Sequence, residues 1–194
     1  MTRTAPSIYN DLWYTDSVGT TAKSFFAQTL PRTRGIVNIS NTNLAASGLM
    51  NMSGIFLEEG AIVTQIGYVV GSTAAVTPSA GFVALYDTAS TPNLLAQSRN
   101  FSTDTQAANS SHTYPLIAPV QITTSGIHYV AISFTAATRP SLYGFSVDHA
   151  IMCKPFSTKQ LTSRPTNSGL GGTAPATPTS FTTTSAFVPW FYLT

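Results

Sequence analysis

The sequence is poor in charge. Only 8% of its 194 residues are charged, with nine Lys and Arg against seven Asp and Glu, whereas soluble domains average about 25%. Nine cations are too few for a nucleic-acid-binding stripe, and the pI of 8.8 reflects an excess of only two positive charges. A coiled coil or a charged-surface helical bundle is excluded for the same reason. We therefore expect no nucleic-acid partner.

Cysteine and long apolar runs are also scarce. Cys153 is the only cysteine, which excludes an intrachain disulfide, and we interpret it as a buried structural thiol rather than a reactive one. No apolar run approaches the roughly 18 residues of a membrane-spanning helix. The first residues, MTRTAPS, lack the apolar segment of a secretory signal. We expect no membrane span, and synthesis and folding in the cytoplasm.

Residues that carry catalysis or bind metals are few. His112, His128 and His149 show no HxH or HExxH spacing, and the acids show no calcium-loop pattern. Asp148 and His149 could belong to a hydrolase triad, but no GxSxG elbow supplies the serine. We therefore predict no metal, no cofactor and no enzymatic activity.

Small hydroxyl residues and apolar residues make up most of what is present. The chain contains 30 Thr and 22 Ser, and its hydrophobic share of 43% is enough for one core. From residue 36 onward, turn signals recur about every 8–12 residues, which is typical of a β-sandwich or barrel. We predict an all-β fold, an antiparallel and jelly-roll-like β-sandwich over residues 36–156 with an extended N-terminal arm.

Four segments of the sandwich carry specific expectations. The stretch 127–134 is apolar on both faces and is predicted to be a central strand. Alternation in 62–70 places residues 62, 64, 66, 68 and 70 on one face. The stretch 114–122 contains two prolines and is expected either to lie at a sheet edge or to wind irregularly. Residues 71–80 and 102–112 are expected to be loops.

The N-terminal segment, residues 1–35, has no regular period but contains five aromatics and four of the nine cations. A free disordered tail rarely carries so many aromatics, so we interpret this segment as an arm that docks on a larger assembly. The predicted docking residues are Tyr9, Trp13, Tyr14, Phe25, Phe26, Arg32 and Arg34.

The C-terminal part divides into two segments. Residues 157–185 are rich in Thr, Ser, Pro and Gly and are expected to form a surface loop or linker. Residues 186–194 are strongly apolar, and such a terminus is either the last strand of the sandwich or a seam between subunits. The predicted seam residues are Phe187, Trp190, Phe191 and Tyr192.

Aromatic residues elsewhere allow two interpretations. They fill the core, or they form a platform on which sugars stack, with candidates Trp13, Tyr86, Tyr114, Tyr129, Tyr143 and Trp190. The core is favoured because Tyr86 and Tyr129 lie inside apolar stretches. If a glycan binds, Tyr114 and His112 are the predicted contacts.

Eight short motifs follow one another in the middle of the chain. They are LEEG at 57–60, IVTQIGYVVG at 62–71, STAAVTP at 72–78, FVALYD at 82–87, LLAQS at 94–98, YPL at 114–116, GIHYVA at 126–131 and RPSLYG at 139–144. Together they resemble a β-sandwich domain of virion proteins from tailed bacteriophages, especially those that infect actinobacteria. His128 stands where that domain has an aromatic residue. The resemblance covers residues 49–146, about half of the chain, and implies no active-site residues.

The resemblance implies a structural virion protein, exposed on the particle as a capsid decoration, head spike or minor tail protein. The arm 1–35 would anchor it to major capsid or tail proteins, and we expect a homotrimer located in the virion after synthesis in the host cytoplasm. The alternative function is a carbohydrate- or receptor-binding module that attaches to a host surface glycan.

Overall fold

The computed structural model describes residues 27–28, 39–43, 47–146, 164–179 and 187–194, and within these ranges all regular structure is β. This confirms the predicted all-β fold class. The strands are β1 (Ala27–Gln28), β2 (Ile39–Asn43), β3 (Met50–Leu57), β4 (Ile62–Val69), β5 (Val76–Tyr86), β6 (Leu94–Gln97), β7 (Ser111–Gln121), β8 (Gly126–Thr138), β9 (Ser141–Ser146), β10 (Arg164–Thr166), β11 (Phe187–Pro189) and β12 (Phe191–Leu193).

The strands form three antiparallel sheets, and a single bridge joins two of these, so that β2 to β9 make the two layers of a sandwich. The β8 sheet has the order β3-β8-β5-β6, and β10 extends it beside β3. In the β4 sheet, β7 pairs with β4 and β2 pairs with β9, and a bridge between Val70 and Leu142 joins the two halves. The resulting orders, 2-9-4-7 and 3-8-5-6, are those of a jelly roll. The predicted jelly-roll-like sandwich is confirmed.

The main core lies between the two sheets. Side chains on the inner faces of both sheets form one cluster of buried apolar residues, which includes Ile55, Ile66, Tyr68, Val83, Leu85, Val130 and Ile132. Tyr129 and Ala131 alternate with the inward-facing residues of β8 and belong to a second cluster on the outer face of the same sheet. Strand β8 is therefore buried on both faces at the centre of its sheet, as predicted.

The strand β4 departs from simple alternation near its start. Its register with β7 shifts between Val63 and Gln65, so that Val63 is buried together with Ile66, whereas Ile62 is exposed. The main-chain amides of Thr64 and Gln65 both donate hydrogen bonds to the carbonyl of Thr194 at the site of the shift. The expectation that Ile62 shares the face of Ile66 is wrong, because the bulge inverts the alternation.

Strand boundaries differ from two expectations about loops. Strand β5 already begins at Val76, which pairs with Thr138, so residues 76–80 are not part of a loop. Strand β7 begins at Ser111, so His112 also lies in a strand. In both places pairing with a neighbouring strand outweighs a Ser- and Thr-rich composition. Strand β7 is the last strand of the β4 sheet, which confirms the edge position predicted from its prolines.

Residues 167–179 form a strap over the outer face of the β8 sheet. Leu170 and Ala174 pack against a cluster that contains Met50, Met52 and Tyr86. The Tyr86 hydroxyl donates a 2.9 Å hydrogen bond to the carbonyl of Pro175 in the strap. The segment predicted as a surface loop or linker therefore covers a second, smaller core.

Asn167 closes the strap at its base. Its Oδ1 accepts a hydrogen bond from the main-chain N–H of Thr179 at 3.0 Å, and its Nδ2 donates to the Thr179 hydroxyl at 2.9 Å. Asn167 also has a positive φ of 49°, a conformation that asparagine tolerates better than most residues. The side chain of Asn167 thus holds together the two ends of the strap, residues 167 and 179.

We expect Asn167→Ala to loosen the strap without unfolding the sandwich. Two hydrogen bonds are lost, and alanine is placed in the left-handed region, which together cost about 2 kcal/mol of local stability. Limited proteolysis within 167–179 should become at least about tenfold faster. Thr177→Ala, at an exposed position of the same strap, is the matched control, and an equal acceleration in the control would contradict the role of Asn167.

Candidate functional site

The apolar C-terminal segment lies inside the fold of the single chain. Strand β11 pairs with β9, and β12 pairs with β4 on one side and β1 on the other. The segment wedges between β4 and β9 where these two strands separate. The predicted seam residues Phe187, Trp190, Phe191 and Tyr192 are all buried here. Of the two interpretations of residues 186–194, the last strand of the sandwich is the one observed.

Tyr192 connects three strands of the β4 sheet. Its ring occupies the space where a side chain on Gly67 would lie, so a glycine is needed at that position. Its hydroxyl lies 2.9 Å from the Ser111 hydroxyl and 2.7 Å from the Thr113 hydroxyl on β7. The C-terminal strand is thereby tied to the edge strand through side chains, which gives it a structural role.

Tyr114, one of the two predicted glycan contacts, belongs to a buried network. The Tyr68 hydroxyl donates to Oε1 of Gln106 at 2.7 Å, and Nε2 of Gln106 donates to the Tyr114 hydroxyl at 2.7 Å. The Tyr114 ring stacks on Phe101 with centroids 4.2 Å apart, and only 5% of the residue is exposed. Tyr114 is thus unable to offer its ring face to a sugar, and this prediction is corrected.

Burial keeps this network neutral. It raises the pKa of Tyr68 well above its ordinary value, and the neighbouring Tyr114 adds to the effect. It also raises the pKa of Tyr114, although the hydrogen bond from Gln106 opposes the shift. Two phenols that remain protonated, joined by an amide, can hold the strands together but supply no base or nucleophile near neutral pH.

His112, the other predicted glycan contact, is half-buried beside the same network. Its ring stacks on Tyr68 with centroids 5.7 Å apart, and its Nε2 lies 2.7 Å from the Ser110 hydroxyl. Because Ser110 donates its own proton to the carbonyl of Ala107, Nε2 of His112 is the donor in this pair. The structure separates the two predicted contacts, since His112 reaches the surface and Tyr114 does not.

Acidic pH should destabilise the fold through His112. Burial lowers the pKa of this imidazole below its ordinary value, and the Asp104 carboxylate offsets part of the shift. Since the folded state favours the neutral ring, its stabilisation is complete above about pH 6.5, the pKa of an unfolded histidine, and is lost as the pH falls below that value. Wild type should therefore lose stability on acidification.

Urea unfolding at about pH 7.5 and about pH 5, on either side of the ordinary histidine pKa, measures this effect. His112→Gln retains a hydrogen-bond donor but does not titrate, so its stability should fall less between the two pH values than that of wild type. An identical loss in both proteins would show that other groups cause the acid sensitivity.

The charged side chains of residues 47–146 all lie in connections between strands. They are Glu58, Glu59, Asp87, Arg99, Asp104 and Arg139. The two glutamates and Asp87 lie at the end formed by the connections 58–61, 87–93 and 122–125, which we call the acidic end. The others lie at the opposite end, formed by 71–75, 98–110 and 139–140. Within residues 47–146, the acidic end carries a net charge of minus three and the opposite end a net charge of plus one. The strands between the two ends are uncharged.

The acidic end is organised by hydrogen bonds between its loops. The main-chain N–H of Glu59 donates to the Ser125 hydroxyl at 2.8 Å. Burial alone would raise the pKa of Asp87, but hydrogen bonds from the side chain and main chain of Asn93 and from the N–H of Ala89 outweigh it, so that the pKa is lowered. Asp87 is therefore an ionised turn residue that holds the 87–93 connection in place.

The opposite end is held together more extensively. The N–H of Asn109 donates to the carbonyl of Gly71, and the N–H of Ser141 donates to the carbonyl of Thr73. The Tyr143 hydroxyl donates to Oδ1 of Asn109 at 2.9 Å. Arg99 pairs with Asp104 at 2.6 Å, which leaves Arg139 as the unpaired excess charge of this end within residues 47–146. The loops of this end are therefore joined to one another by hydrogen bonds, and their net charge is only plus one.

Several predictions concern residues outside the described ranges. The docking residues Tyr9, Trp13, Tyr14, Phe25, Phe26, Arg32 and Arg34 lie there, as do Cys153 and His149. Within the predicted arm, Ala27–Gln28 form strand β1 of the β4 sheet, so part of that segment belongs to the sandwich.

The described part of the chain lacks two further kinds of site. No group of three His, Cys, Asp or Glu side chains there could hold a metal ion. No helix in those ranges is long and apolar enough to cross a membrane.

Comparison with known proteins identifies no relative. The chain matches no protein-family model, and no curated protein is significantly similar to it. The likeness to bacteriophage virion proteins therefore stays a prediction from the motifs.

Proposed function

We propose that the protein is a structural virion protein of a tailed bacteriophage, exposed on the particle and anchored by its N-terminal arm. The observation that carries this proposal is the distribution of charge. None of the eight jelly-roll strands contains Asp, Glu, Lys or Arg, and the charges of residues 47–146 are confined to the two ends. The surfaces formed by these uncharged strands can pack against neighbouring proteins without the cost of desolvating ions.

The placement of the motifs supports the same proposal. The FVALYD motif ends strand β5, LLAQ is strand β6, and GIHYVA begins the central strand β8. The motifs that resemble a virion β-sandwich domain therefore fall on consecutive parts of one jelly roll, and the resemblance is consistent with the fold at each of them. Capsid decoration, head spike and minor tail protein are the positions that fit this proposal, with major capsid or tail proteins as partners.

The position of Ala27 indicates the end of the sandwich from which the N-terminal arm would leave. Ala27 pairs with Leu193, which in turn pairs with Ile66 in the middle of β4. Because β1 runs antiparallel to β12, its first residue is directed toward the acidic end. An arm that docks on the particle would therefore leave the sandwich at its acidic end.

Attachment to particles tests the proposal. Particles purified from lysates of the phage that encodes the chain should contain the full-length protein, detectable by mass spectrometry. A chain lacking residues 1–26, which leaves β1 intact, should fold but be absent from the particles. A chain lacking only residues 2–8, before the first aromatic of the arm, is the matched control and should attach. Absence of the full-length chain from particles would refute the virion function, and attachment of the shortest chain would refute the anchoring role.

A further inference from the structure

Two exposed apolar side chains lie on the neighbouring strands β4 and β7. Among the described residues, five large hydrophobic side chains are exposed; Ile117 is the most exposed of them at 71%, and Ile62 is 55% exposed. Both lie where β4 and β7 change register. Ile62 directly precedes Val63, which forms with Val120 the last pair before the shift. Ile117 is one of the four residues of β7 that have no partner on β4 because of the shift.

The two isoleucines point away from the main core. Val63 and Val120 pair across the strands and pack on the core side, so the next pair, Ile62 and Gln121, faces outward. Leu116 is buried in the core, and its neighbour Ile117 points to solvent. We call the exposed outer surface made by Ile62, Gln65, Pro115, Ile117 and Gln121 the β4–β7 face. It contains no charged residue.

This face differs from the outer face of the other sheet. There, Leu170 and Ala174 of the strap already cover the apolar cluster around Met50 and Met52. Strand β7 is also protected against the addition of a further strand, because Leu116 already bridges to Ser98 and because Pro115 and Pro119 have no N–H to donate. A partner of the β4–β7 face must therefore pack on its side chains rather than extend its sheet.

We propose that the β4–β7 face binds a second copy of this chain in a two-fold pair, with the strands of the two copies antiparallel. A two-fold interface brings the same patch of both copies together, and an uncharged patch meets its own copy without repulsion or ion desolvation. The proposal rests on the proposed function for its biological purpose, because proteins that cover a particle pack against their own copies.

The charge polarity of the sandwich favours this orientation. In an antiparallel pair, the acidic end of each copy, with Glu58, Glu59 and Asp87, lies beside the end of its partner that carries the excess charge of Arg139. In a three-fold arrangement around an axis along the strands, the acidic ends of all copies would lie together and repel. The structure thus points to a two-fold pair rather than the homotrimer expected from the sequence.

Light scattering coupled to size exclusion tests the proposal on the purified full-length chain, with no particle present. Wild type should be a dimer at micromolar concentration. Ile117→Glu places a carboxylate in the apolar interface and should weaken the dimer about 100-fold or more. Leu95→Glu, at an exposed apolar position of the β8 sheet, is the matched control and should leave the dimer unchanged. Equal circular dichroism spectra and melting temperatures would show that both variants are folded.

A charge exchange tests the orientation. Glu59→Lys should weaken the dimer several-fold at low salt, and adding Arg139→Glu to it should restore part of the affinity. Monomeric wild type, or a dimer that Leu95→Glu disrupts as strongly as Ile117→Glu, would overturn the interface. A wild-type trimer, or no recovery in the double variant, would overturn the antiparallel pair. None of these results depends on whether the chain attaches to particles.

Discussion

Phe191→Ala is expected to lower the free energy of unfolding by about 3–5 kcal/mol, which is the usual cost of truncating a buried phenylalanine. Phe191 is fully buried in the main core, and its strand β12 pairs with β4 on one side and β1 on the other. A domain of this size has a total stability of about 5–15 kcal/mol. The loss should therefore be visible in urea unfolding as a large shift of the midpoint.

The control for this prediction is Phe56→Ala, because Phe56 is 57% exposed. It should change the stability by no more than about 0.5 kcal/mol. If Phe191→Ala does not fold, Phe191→Leu, which keeps part of the apolar volume, provides a smaller and measurable loss. The free energy of unfolding lost in Phe191→Ala should also be independent of protein concentration. A concentration-dependent loss would instead mean that Phe191 lies in a seam between subunits, as the sequence allowed.

Gly144→Ala is expected to destabilise the fold by about 3 kcal/mol, at the upper end of the cost of overpacking. Gly144 lies in β9 opposite Pro189 of the C-terminal segment. A Cβ at this position would overlap the main-chain carbonyl oxygen of Val188 and the ring of Phe187. Since a main-chain atom cannot move aside as the end of a side chain can, β9 and β11 would have to separate.

Thermal unfolding measures this effect, and Gly171→Ala is the matched control. A Cβ on Gly171 meets nothing within 4 Å, so that substitution should leave the melting temperature nearly unchanged. A similar melting temperature for both variants would mean that the close approach of β9 and β11 is not required for the fold.

Much of the fold could be predicted from local patterns. The apolar stretch in β8 is long and apolar on both faces, and only a central strand buries both of its faces. The prolines of β7 lack a donor, and a sheet tolerates that loss only at an edge or a bulge. These properties depend on the residues themselves, so they could be identified without knowledge of the neighbouring strands.

The predictions from the sequence were wrong where a segment distant in the chain determines the local structure. Ile62 is exposed because β4 bulges at Thr64 and Gln65. The N–H groups of these two residues donate to the carbonyl of Thr194, which lies 130 residues after Thr64. Tyr114 appeared to adjoin a surface loop, but Gln106 and Phe101 fold back over it. The strap appeared to be a linker because its Thr, Ser, Pro and Gly content is typical of linkers, and only its contacts with Met50 and Met52 reveal a cover.

The sequence by itself determined the all-β class, the central and edge strands, the uncharged strands and the scarcity of catalytic groups. These follow from composition and from period-two patterning, which are local. Only the tertiary structure decided that the C-terminal segment completes the sandwich, that the charges of residues 47–146 separate into two ends of unequal sign, and that none of the described residues covers the β4–β7 face. The reason is that burial and polarity depend on which distant strands pair, and pairing is set by the summed packing of the whole core rather than by any one segment.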